Sequence, residues 1–227
     1  MSLFVGILTI GIALSTGLWL KQHLLGAALG FASVFFLFGG LGLYPFLKGD
    51  PESFLYFSLL NQVACLAFLY GFWIKHPIGE RIIEAKVVFV AIGVGLIAVT
   101  ISMLWLQVLS AFGVEHQEQE LMNVLRSEVL RTKVLVMLFV VFLAPICEEL
   151  LFRNLLIKVL RRGMSAGLAV IVSGAVFGVM HSESSTSVLP LILFGFLLGW
   201  LQITYKQTLA PILAHVTNNL VVVLLMV

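Results

Sequence analysis

The stretch VLVMLFVVFLAPICEELLFRNLLIK, residues 134–158, decides how this chain is read. It is long and apolar enough to cross a lipid bilayer, for which roughly 20 mainly apolar residues suffice. Its second half nevertheless carries Glu148, Glu149 and Arg153. A charged side chain at the bilayer centre costs at least about 2.5–3.5 kcal/mol on insertion scales. Groups retained at that cost point to use, and a functional site inside the membrane is the default expectation. On a helix Glu149 and Arg153, four residues apart, share a face and can neutralise each other. Glu148 then points about 100° away, left for chemistry.

The rest of the chain fits the same solvent. Of its 227 residues 61% are hydrophobic and 11% charged, against about 45–50% and about 25% in ordinary soluble domains. A soluble domain of this length could not hide so much apolar surface. The net charge of +2 comes without any basic stripe, so nucleic acid is not an expected partner. Apolar runs fall near 3–20, 24–47, 54–74, 86–109, 134–158, 166–181, 187–205 and 207–226, with charged or turn-forming clusters between them. Backbone polar groups in lipid must be satisfied within the segment, which makes these runs helices. The short alternating segments of a barrel are not visible. The expected fold is therefore all-α, a polytopic transmembrane bundle of about eight spans. It forms one membrane domain overall, with N-terminal helices and an interfacial segment over 1–133 and a core over 134–227. The N-terminus lacks a basic n-region and a clear cleavage site and reads as a retained span. The loops holding Lys21, Lys75, Arg81, Lys86, Lys158, Arg161, Arg162 and Lys206 are the richer in Lys and Arg, which places them in the cytoplasm and both termini outside. The polar stretch from Glu115 to Lys133 reads as an interfacial lead-in helix, or more sharply as a surface lid.

Three further polar residues lie inside the last spans: His181, His215 and Asn219. Counting outward from the turn at Gly163 and Met164 sets Glu148 opposite His181. Glu148 lies ten residues below Lys158, and His215 nine below Lys206. At 1.5 Å per residue all three reach a depth of roughly 14 Å. His215 and Asn219, four apart, present to one face. A glutamate with two histidines can act as a general base on water, with or without a bound divalent cation such as zinc held by Glu148, His181 and His215. Asn219 could donate a hydrogen bond to a developing oxyanion. These parts suit attack of water on a carbonyl.

At these residues the sequence resembles the CPBP family of intramembrane proteases, also called the CAAX protease and bacteriocin-processing or Abi family. Its pattern of EExxxR, then FxxxH, then HxxxN or HxxxD is matched by Glu148-Glu149-Leu150-Leu151-Phe152-Arg153, by Phe177 through His181, and by His215 through Asn219. The motifs stand in order on successive spans, and the resemblance covers about residues 134–226. It implies a four-helix catalytic core in which Glu148 activates water with His181. His215 and Asn219 would complete the site and stabilise the oxyanion, and Glu149 and Arg153 would orient it. It also implies an endopeptidase, of glutamate or metallo type, acting on a membrane-associated or lipidated peptide. Membrane lipids are the other expected partner. The compact length points to a bacterial or archaeal cell membrane.

Rival chemistries have less support. No HExxH is present, and Asp50 is the only aspartate, which leaves no zinc-protease helix and no aspartate dyad. Ser173-Gly174 lacks the glycine of a rhomboid-like nucleophile, since residue 171 is Ile171. Cys147 fits a small apolar filler better than a nucleophile. Two non-proteolytic classes use the same residues: a proton-coupled carrier and a peptide-binding or immunity scaffold. The carrier reading expects paired halves, and none are visible in the sequence.

Overall fold

The computed structural model describes residues 59, 62–63, 66–67, 83–115, 130–181 and 185–226. The chain divides into two compact units, Met1–Ile78 and Gly79–Val227. In the first, Leu59, Gln62, Val63, Leu66 and Ala67 are helical, and Gln62 is buried. The expected runs at 3–20 and 24–47, and most of 54–74, lie outside the described residues, as do residues 116–129 of the polar stretch.

The second unit is built from helices joined by turns, with no strand among the described residues. They are α1 (Ala85–Ala111), α2 (Leu130–Leu160), α3 (Ala166–Val179), α4 (Val188–Tyr205) and α5 (Leu209–Met226). Local chemistry sets several of their ends. At the end of α1, Gly113 takes φ 73°, which lets Val114 N–H reach the Leu109 carbonyl and Gly113 N–H reach Ser110. That is the glycine stop of a helix. Ser165 opens α3 by accepting a hydrogen bond from the Leu168 N–H. Pro190 and Pro211 sit in the first turns of α4 and α5, where a missing N–H removes no helical bond.

Helices α1, α2 and α5, and α4 together with its lead-in turn at Ser185–Ser187, are long and apolar enough to cross a membrane. They correspond to the expected runs at 86–109, 134–158, 207–226 and 187–205. The run at 166–181 differs. Its helix has 14 residues, or about 21 Å, short of the roughly 30 Å hydrocarbon core, and His181 falls in the turn beyond it. The distribution of polarity is that of a protein in lipid. Phe89 and Leu224 are among the most exposed side chains, whereas Glu149 and Arg153 have no exposed surface.

Close packing between α3 and α4 depends on glycine. A Cβ added at Gly195 would stand 2.7 Å from the Gly174 Cα and 2.9 Å from its carbonyl oxygen. One added at Gly178 would meet the Ile192 backbone nitrogen at 2.6 Å. Small residues let two helix backbones approach this way where lipid offers no hydrophobic drive to association. Helix α1 lies against α5 by the same device, since a Cβ at Gly95 would meet the Ala214 carbonyl at 2.5 Å. The contacts are with backbone and cannot be relieved by a rotamer change. Gly195→Ala should therefore destabilise by about 1–3 kcal/mol, read as a lower melting temperature in detergent. Gly93→Ala, with nothing within 4 Å of the added carbon, should leave the melt unchanged.

Candidate active site

Helix α2 is not a regular α-helix. Wide turns with i→i+5 hydrogen bonding occupy Phe139–Leu143 and Leu150–Leu156, and one regular α-helical turn, Ala144–Glu149, stands between them. Pro145 accounts for the first. It has no N–H to offer, and its ring collides with the carbonyl four residues back, which a wider turn relieves. Glu148 and Glu149 close the regular turn, while Arg153 sits in the second wide one. The expected four-residue pairing survives this departure: Arg153 Nε lies 3.1 Å from Glu149 Oε2.

Glu149 serves two partners. Its Oε1 accepts a 2.8 Å hydrogen bond from Nδ1 of His215 on α5, while Oε2 faces Arg153. A carboxylate can only accept, so His215 carries its proton on Nδ1 and turns Nε2 the other way. There Nε2 meets Glu148 Oε2 at 3.9 Å, beyond direct hydrogen-bond reach. The two adjacent glutamates thus address opposite nitrogens of one imidazole. Their exposure differs: the Glu149 side chain is fully buried, whereas Glu148 keeps 14% of its surface.

Arg153 is also fully buried. One terminal nitrogen donates to the Gly195 carbonyl at 3.3 Å, and the guanidinium carbon lies 4.5 Å from the centre of the Phe177 ring. Nε is close to Glu149 without being aligned for a hydrogen bond, and Nη1 has no hydrogen-bond partner. That approach to an aromatic ring is within cation–π reach. Phe177 also stands 5.7 Å from the His215 ring, edge to face, and 4.7 Å from the His181 ring. One phenylalanine therefore adjoins the arginine and both histidines. Phe194 covers His215 from α4 at 5.2 Å.

His181 Nδ1 lies 2.7 Å from the Phe177 carbonyl. A carbonyl only accepts, so the proton sits on Nδ1 and Nε2 is the lone-pair nitrogen. Asn219 Nδ2 donates to the Val140 carbonyl at 2.8 Å, and its Oδ1 accepts from Asn218 Nδ2 at 2.9 Å. Among the described residues, no three His, Cys, Asp or Glu side chains are grouped to hold a metal ion, the expected set Glu148, His181 and His215 included. Ser173 is fully buried and donates to the Phe152 carbonyl at 3.1 Å, an anchoring role rather than a nucleophile's. Cys147 is buried within α2.

A model of the family described as type II CAAX prenyl endopeptidase Rce1-like matches residues 130–221, a stretch holding all three motifs and every side chain of the cluster. Over this stretch the chain is similar to the CPBP/CAAX protease family. Neither the curated proteins nor the solved structures gave a match to the chain. With α1, α2, α4 and α5 apolar and long enough to span, the protein is an integral membrane protein, and the family its core resembles is one of proteases. Sequence reasoning named the charged residues of its core but gave Phe177 no role. The signal was present, because the FxxxH spacing of four puts ring and imidazole on one helix face. It missed the Gly195 and Val140 carbonyls altogether, since a backbone acceptor leaves no mark in sequence.

Removing one partner of a buried ion pair leaves an uncompensated charge. Arg153→Met should therefore cost about 3–5 kcal/mol, measured by thermal melting in detergent. Adding Glu149→Gln, which keeps the shape and an acceptor for His215 without the charge, should recover part of that loss.

Proposed function

We propose that this protein is an intramembrane endopeptidase that hydrolyses a peptide bond of a membrane-associated or lipidated substrate with water activated by Glu148. The reading is carried by the division of labour between adjacent glutamates. Glu149 is spent on Arg153 and His215, while Glu148 stands at the partly exposed edge of the cluster, with no arginine in ion-pair distance among the described residues. A structural ion pair would need only one of them.

In this mechanism the Glu148 carboxylate takes a proton from water as the oxygen attacks the scissile carbonyl carbon. It returns that proton to the leaving amine when the C–N bond breaks, so atoms and charge balance. His181, whose ring also adjoins Phe177, is the second group on the same water. His215, held by Glu149 through Nδ1, presents Nε2 toward the reacting group. When protonated there it donates to the oxyanion of the tetrahedral intermediate. The Glu149–His215 pair fixes tautomer and ring orientation, as a buried carboxylate does for a catalytic histidine in serine proteases. Arg153 and Phe177 hold Glu149 and both rings and touch no reacting atom.

A water buried among helices can act only on a chain that enters from the membrane or its surface. The type II CAAX prenyl endopeptidase description of the matched family favours a lipidated C-terminus as substrate. Glu148→Gln and His181→Ala should each lower cleavage by at least about 100-fold while the protein still folds and inserts. Comparing the membrane proteomes of cells carrying the wild type and Glu148→Gln would identify the substrate by the peptides that appear only with the wild type. Unchanged peptide patterns, with transport of a solute into proteoliposomes, would replace this reading with a carrier.

A further inference from the structure

The wide turn before the glutamates leaves one backbone group to be accounted for. In Phe139–Leu143 hydrogen bonds run five residues back, and the Ala144 N–H reaches the Phe139 carbonyl. The next bond in that register would join residue 145 to the Val140 carbonyl. Residue 145 is Pro145, fully buried and without an N–H. In an apolar interior an orphaned carbonyl costs free energy comparable to a lost hydrogen bond. At that carbonyl stands Asn219 Nδ2, 2.8 Å away and 79 residues distant in sequence. The Asn219 amide is itself oriented by Asn218, which donates to its Oδ1 at 2.9 Å.

We propose that Asn219 is a positioning residue whose amide replaces the backbone N–H that Pro145 lacks. The bond ties α5 to the wide turn of α2, four residues before the start of the turn that ends in Glu148 and Glu149. Asn219 lies one helical turn beyond His215, so the same stretch of α5 carries both the imidazole and the donor that sets its distance from the glutamates. The second wide turn is pinned likewise, its Phe152 carbonyl accepting from Ser173 of α3. Each break in α2 is thus held by a side chain from a neighbouring helix. The pinning stands on these contacts alone, whereas its effect on catalysis rests on the proposed peptidase activity.

Restoring the missing N–H tests this directly. In Pro145→Ala a backbone N–H reaches Val140 whichever register the helix takes: from residue 145 in the wide turn, or from residue 144 in a regular one. Asn219→Ala alone should lower the melting temperature in detergent by roughly 2–10 °C. It should also cut kcat on a farnesylated C-terminal reporter peptide by about 10- to 100-fold with little change in KM. The double variant Pro145→Ala/Asn219→Ala should melt and cleave like Pro145→Ala alone. A double variant no more stable than Asn219→Ala overturns the pinning, and the melt decides this whether or not the reporter is cleaved. Recovery of stability without recovery of kcat would return Asn219 to direct oxyanion binding and overturn the positioning role. If Asn219→Ala gives no folded protein, the presence or absence of a cooperative melt in the double variant decides in the same sense.

Discussion

A carboxylate shut away from water must find its counter-charge and its donors inside the protein, and Glu149 finds both. One oxygen meets Arg153, the other the His215 imidazole. The desolvation penalty for each buried ion is several kcal/mol, so the pair is tolerable only when all its partners are in place. Those partners come from different helices. Arg153 shares α2 with Glu149, His215 stands on α5, the Gly195 carbonyl lies on α4, and the Phe177 face belongs to α3. The charge therefore demands a particular assembly of four helices. Displacing α3, α4 or α5 takes away a ring, a carbonyl or an imidazole from the buried pair.

The packing around this point serves that demand. Arg153 reaches the Gly195 carbonyl beside the place where α3 and α4 touch backbone to backbone through Gly174 and Gly195. A side chain at either position would push the helices apart and move that carbonyl. The irregular course of α2 belongs to the same design. Wide turns on both sides of Ala144–Glu149 give the glutamates a short regular segment between two breaks, a form of helix common at functional sites. The first break leaves the Val140 carbonyl to Asn219, and at the second Ser173 adds a donor to the Phe152 carbonyl.

Much of the core was legible in the sequence because it rests on short spacings. Glu149 with Arg153, Phe177 with His181 and His215 with Asn219 are each four residues apart, and a helix delivers such pairs to one face whatever surrounds it. The apolar runs gave the helices because lipid permits little else. Residues 116–129 and the first runs lie outside the described residues. The run at 166–181 read as a span of the same kind as the others, yet its helix closes after 14 residues. Apolar composition shows what a segment tolerates as solvent and does not set where its hydrogen bonding stops.

The sequence by itself determined the solvent, the helical class, the family resemblance over about residues 134–226 and the identity of the charged residues. All of these follow from composition and from spacings within single helices. Only the tertiary structure decided that Glu149 rather than Glu148 grips His215, that Phe177 adjoins the arginine and both histidines, and that Asn219 meets a carbonyl orphaned by Pro145. Each of these is a contact between helices. Its distance depends on crossing angles and wide turns that no spacing within one helix encodes.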